Sequence, residues 1–204
     1  DYALIREVMD IDDEDLSQRL QKLCRSNLVR QVRSAHEYQF IFKHALIQDA
    51  AYESLLRETR RDYHRRIAGS LVESFPDIAT AKPEIVAKHL TDANRPVEAA
   101  DYWHRAGQMA IQRSANTEAI RHLTNGIDAL RRIASNPDAR RTELKLLISL
   151  GVPLIAARGY AAKELADAFS HARALCAELT TEDRERFRVL WGLGAYYLIR
   201  GQLE

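Results

Sequence analysis

The chain has 204 residues, 46% of them hydrophobic, with thirty basic side chains against twenty-nine acidic ones. That is enough apolar material for one or two packed domains. The net charge of +1 lacks the basic excess of a mainly phosphate-driven nucleic-acid binder. With no run of eighteen apolar residues, no membrane span is expected, and the cytoplasm is the expected location. The chain starts at Asp1 and ends on RGQLE inside a helical pattern, which reads as a piece of a longer protein. The two cysteines, Cys24 and Cys176, lie in apolar helical patterns and read as buried free thiols.

In chain order, Leu4, Ile5 and Val8 mark a short first helix. Asp12 is placed to cap a second, with Glu14 and Asp15 in its first turn, where the helix dipole favours carboxylates. Its apolar stripe is Leu16, Leu20, Leu23 and Cys24, and Asn27 is its expected stop. LVRQVR (28–33) and EYQFIF (37–42) are rich in β-branched and aromatic residues and predict a hairpin turning at Ser34–His36. Helix, helix, hairpin, helix is the order of the later part of a winged-helix domain.

Helical periodicity then continues almost to the end, with helices expected near 43–56, 58–75, 83–93, 96–113, 115–133, 140–157, 161–178 and 182–200. Pro83 and Pro96 suit first turns, whereas Pro153 is expected to kink or end its helix. Asn116 is a candidate cap, as are Thr180 and Thr181. PDIATAKP (76–83) and ASNPDAR (134–140) read as connectors.

Self-comparison finds a repeat. Trp103-x2-Ala106-Gly107-x2-Ala110 is followed by Ala119-x3-Leu123-x2-Gly126. Leu147-x2-Leu150-Gly151-x2-Leu154 is followed by Leu165-x3-Phe169-x2-Ala172. Leu190-x2-Leu193-Gly194-x2-Tyr197 begins a third unit. This is the tetratricopeptide pattern, although its glycines stand 44 and 43 residues apart where the consensus repeat has about 34 residues. Gly107, Gly151 and Gly194 allow close helix approach, Ala119 and Ala172 do the same from the facing helix, and the large residues fill the remaining space. Three unexplained glycines in helix interiors would each cost about 1 kcal/mol, so packing is the better explanation. The fold expected is mainly α: a winged-helix-like segment with one β-hairpin over 1–57, then an α-solenoid of tetratricopeptide-like helix pairs over 58–204. Such stacks present a surface for a protein or peptide partner.

Catalytic signals are missing. There is no GxxxxGK[ST], HExxH, CxxC or GxSxG, and no two of the seven histidines (His36, His44, His64, His89, His104, His122 and His171) stand four apart on one helix. No catalytic residue and no metal ligand is assigned. RETRRDYHRR (57–66) is basic, but Glu53, Glu58 and Asp62 flank it, so a solvated helix face is expected. The second helix opens on four consecutive acidic residues, Asp12 to Asp15, which would repel a DNA backbone. A DNA-binding transcription regulator is therefore the alternative rather than the main reading.

Several stretches, FIFKHALIQDAAYESLL, RRDYHRRIAGSL, IVAKHLTDANRPVEAADYWHRAGQMAIQRSANTEAIRHL and the Gly159–Tyr160 pair, resemble one bacterial group. These are the multidomain class III adenylate/guanylate cyclases and related regulators with a STAND-type ATPase and tetratricopeptide repeats. The resemblance implies a fragment running from the winged-helix part of the ATPase module into the repeats, with cyclase and P-loop in cis upstream. It implies no cofactor in the fragment, ATP or ADP in the full-length protein, a protein partner on the repeats, and homodimerisation as one arrangement open to it. KHALIQDAA is also similar to the Met-His-Asp motif of STAND ATPases. His44 matches the His and Asp49 the second Asp, while Lys43 and Ala45 replace the Met and first Asp. That similarity implies nucleotide sensing by His44 and Asp49, with His44 on the β-phosphate of ADP.

Overall fold

The computed structural model describes residues 1–34, 37–133, 136–179 and 181–201. The chain is mainly helical, with one antiparallel two-stranded hairpin among the described residues. It divides into two compact units: residues 1–79 with 92–94, and residues 80–91 with 95 onward.

The first unit opens with α1 (Tyr2–Met9) and α2 (Asp13–Arg25). Asp12 caps α2 as expected, its carboxylate accepting from the Asp15 N–H at 2.9 Å. Asn27 adopts φ 62° just past the end of α2, a conformation asparagine tolerates better than most residues. β1 (Val29–Ser34) pairs with β2 (Glu37–Phe42), Val29 opposite Phe42. Ala35 and His36, expected in the turn, lie outside the described residues. α3 (Ala45–Glu53) and α4 (Arg57–Glu73) follow.

Val8, Leu16, Leu20, Val29, Ala68 and Leu71 are buried, whereas Leu23 of the expected α2 stripe is exposed. α4 packs on α1. Arg66 donates to the Val8 carbonyl at 3.3 Å, and the Ser74 hydroxyl to Glu7 at 3.0 Å. Compactness thus groups α4 with α1, whereas the sequence boundary at 57/58 separates them.

α5 (Pro76–Ala81) replaces the connector expected at 76–83. Pro76 lacks an N–H that the first turn would leave unpaired in any case, so a proline there starts a helix. Pro83 and Pro96 do the same for α6 (Pro83–Asp92) and α7 (Pro96–Gln112). α8 (Asn116–Leu130), a 3-10 turn at Arg131–Ile133, α9 (Pro137–Arg158), α10 (Lys163–Glu178) and α11 (Asp183–Ile199) complete the second unit.

Two further local expectations are corrected, and a third is narrowed. Asn116 is the first helical residue of α8, not its cap; Ala115 holds the cap position, with no side-chain bond. α11 is entered from Glu182, again with no side-chain cap; Thr181 accepts from the Arg186 Nε at 2.8 Å, and Thr180 lies outside the described residues. Pro153 does not end its helix, because α9 runs on to Arg158 with Pro153 fully buried. The core of this unit runs through α7 to α11, with Leu123, Leu130, Leu146, Leu165 and Val189 among its least exposed side chains. Both cysteines are free, Cys176 buried and Cys24 half-buried. Among the described residues, no helix is long and apolar enough to cross a membrane.

Candidate functional site

Two regions carry the residues singled out from sequence. In the first unit, His44 stands at the N-cap of α3 with extended backbone (φ −133°, ψ 132°), and its side chain makes no capping bond. Its carbonyl accepts from the Ile47 and Gln48 N–H groups at 3.1 and 3.3 Å. His44 and Asp49 are both exposed, and α3 has no buried residue; Leu46 is 82% exposed. Five positions on a helix turn a side chain by about 140°, so α3 does not align His44 and Asp49 on one stripe. His44 thus stands exposed at a helix start, a place that suits an anion.

The basic stretch of α4 is largely paired within the unit. Arg65 and Arg66 both meet Asp62, Arg66 at 3.1 Å. Arg60 reaches Glu53 at 3.5 Å and lies over the Tyr52 ring, 5.0 Å from its centroid. The Tyr52 hydroxyl is 3.0 Å from His64 Nε2. A separate cleft of about 540 Å³ lies among Tyr2, Asp13, Gln21, Gln31, Tyr38 and Phe40. Sequence reasoning missed it, because it arises where the hairpin meets α1 and α2 and no local pattern encodes that meeting.

In the second unit, Gly107 and Gly151 stand where a side chain of another helix approaches closely. A methyl built on Gly107 would come within 2.7 Å of the Leu123 side chain, and one on Gly151 within 2.6 Å of the Phe169 ring. Ala119 and Ala172 are fully buried. A methyl built on Gly126 would come within 3.1 Å of the Leu146 side chain and of the Trp103 Cβ. Trp103 is buried, its indole N–H donating to the Thr91 hydroxyl at 3.1 Å and its ring stacked on His122 at 5.4 Å between centroids.

The segment around Gly194 differs. Leu193 is buried, but Tyr197 is 40% exposed, and nothing lies within 4 Å of a methyl on Gly194. The glycine of α11 that meets the core is Gly192, against the same Phe169 ring. The repeat spacing could not show this, since Gly192 falls outside the pattern.

Two polar groups also escaped the sequence reading. His122 is 3% exposed, with Nε2 3.3 Å from Glu118 and a buried Nδ1 that has no hydrogen-bond partner. His104 Nε2 lies 2.8 Å from the Ser149 hydroxyl and 3.2 Å from Gln108 Nε2, which also donates to Ser149 at 3.0 Å. This network joins α7 to α9 with the His104 Nε2 as acceptor. Burial holds the His104 pKa below its ordinary value of 6.5, opposed by Asp101 and assisted by Lys145.

Folding therefore releases protons from His104 at mildly acidic pH. Stability from this site is complete above the unfolded value of 6.5 and falls as pH drops toward the lower folded pKa. Urea titrations at stepped pH should show a shallower acid-side decline for His104→Gln than for the wild type.

No group of three or more His, Cys, Asp or Glu capable of holding a metal occurs among the described residues. Burial pushes the Cys176 thiol pKa up, leaving it protonated rather than nucleophilic.

The chain is 25% identical over 184 residues to an uncharacterized protein of Rhizobium meliloti (strain 1021), a match covering 90% of this chain. The chain spans 18% of the length of that curated relative. No family model and no solved structure matches the chain.

Proposed function

We propose that this chain is a non-catalytic regulatory and protein-interaction region of a nucleotide-switch signalling protein. The second unit is read as tetratricopeptide-like helix pairs that bind a protein partner. The first is read as a winged-helix-like segment coupling them to a STAND-type ATPase and a class III cyclase in the same cytoplasmic polypeptide. The observation that carries this reading is the repeated packing of unit 2, where α8 sets Leu123 on Gly107 and α10 sets Phe169 on Gly151. Stacked helix pairs bind through extended surfaces and need no chemistry of their own.

His44 supplies the link to nucleotide. Its exposure at the start of α3 supports a contact between His44 and a phosphate contributed from another domain. A charge-assisted bond there is worth roughly 1.5–3 kcal/mol, or about ten- to a hundredfold in affinity. In the polypeptide carrying the ATPase, His44→Ala should weaken ADP binding by about that factor and raise basal output. Unchanged ADP affinity by calorimetry, with unchanged basal activity, would remove the sensor role.

A further inference from the structure

Where α9, α10 and α11 meet, unit 2 holds a pocket of about 170 Å³. Its floor is fixed. The Phe169 ring is 5% exposed and lies against the backbone of Gly151 on α9 and of Gly192 on α11, so it has no room to swing aside. Ile148, also buried, completes the floor. The walls come from two helices. Val152 and Ile155 line the α9 side. Phe187 and Trp191 line the α11 side as two nearly parallel rings, 6.2 Å between centroids and 23° apart in plane.

The size of this space selects its occupant. An α-helix with its side chains is about 10 Å across and does not enter. An apolar cavity of roughly 150 Å³ holds one benzene-sized molecule. Two polar side chains join the apolar lining, Arg188 and Tyr160. Both are exposed and so stand at the rim. Among the described residues, neither the guanidinium nor the phenol has a hydrogen-bond or ion-pair partner, and the described lining contains no carboxylate. The pocket therefore carries one uncompensated positive charge above an aromatic floor.

We infer that this pocket binds a small free acid, one aromatic ring carrying a carboxylate. The ring lies on Phe169 between the aliphatic wall of α9 and the aromatic wall of α11, where offset or edge contacts between rings add to the burial of apolar area. The carboxylate lies at the rim on Arg188, whose planar fork matches two carboxylate oxygens, and the Tyr160 hydroxyl is a second donor there. A neutral ligand of the same shape fills the recess and leaves the guanidinium unused. The site goes beyond the protein-partner reading of unit 2 and does not depend on it.

The test is titration of the folded chain with phenylacetate and with phenylacetamide, read by calorimetry and by Trp fluorescence. Trp191 is one of two tryptophans, and the other, Trp103, is buried. An acid of about ten heavy atoms is expected to bind saturably with a Kd on the order of 1 mM, and the neutral amide about tenfold more weakly. Arg188→Gln should abolish the preference for acid over amide. Val152→Phe, which narrows the pocket from its rim, should abolish binding of both. Both replaced side chains are exposed, so the variants should stay folded, and an unchanged melting temperature checks this. Absence of saturable binding, equal affinity for acid and amide, or titrations indifferent to either substitution overturn the inference. The tripeptide Gly-Gly-Phe offers the same ring and carboxylate at a chain terminus and should bind more weakly than phenylacetate. If it binds more tightly, the pocket holds the end of a polypeptide and the free-acid assignment fails.

Discussion

Phe169→Ala is expected to lower the unfolding free energy by about 3–5 kcal/mol in urea denaturation followed by circular dichroism. The ring is 5% exposed and is shared by two glycines, Gly151 of α9 and Gly192 of α11. Neither glycine has a side chain to move into the gap, so the cavity persists, and a persistent cavity puts the cost at the upper end of the range. A sign reversal tests the geometry. Gly151→Ala should destabilise the wild type, where its methyl would press within 2.6 Å of the ring, but stabilise Phe169→Ala by filling part of the void. A coupling energy near zero in that double-mutant cycle would show that the glycine and the ring do not touch.

Trp103→Ala should cost a similar amount, about 3–5 kcal/mol, for a different mixture of reasons. The indole covers the face of His122, which is 3% exposed. It also supplies the N–H that donates to Thr91, whose own hydroxyl donates to the Ala87 carbonyl at 2.8 Å. Trp103→Phe separates these contributions. It keeps an aromatic face for His122 and forfeits the hydrogen bond, so a loss of about 1 kcal/mol is expected. If Trp103→Phe were as damaging as Trp103→Ala, the hydrogen bond rather than the stack would dominate. Thermal melts of the three proteins in one buffer decide it.

Two of the helix contacts were legible because close approach leaves a composition mark. Glycine is unfavourable inside a helix, so Gly107 and Gly151 at matching places announced a neighbour. The same rule applied to Gly194 pointed to a neighbour where the structure shows open space, while Gly192, outside the pattern, turned out to be packed. Sequence spacing locates a helix face and does not say which of two opposite faces is filled.

Helix ends were less legible where proline and asparagine serve more than one role. Pro76 began a helix in a stretch read as a connector, and Pro153 sat inside one. Asp12 was readable because an acidic residue before an acidic first turn has one physical meaning. His122 escaped notice since a histidine four residues after a glutamate looks like a surface pair; its burial depends on Trp103, nineteen residues earlier. The exposure of His44 and Asp49 was not written in their own helix, because exposure depends on what the rest of the fold leaves uncovered.

The placing of one ring between two glycines also bears on how the second unit opens. α9 cannot part from α11 without uncovering Phe169, and α10 carries that ring into both. The three helices therefore share one opening event, in which amide protection is lost as a block rather than helix by helix from the end. A seam of this kind passes motion across three helices without acting as a hinge.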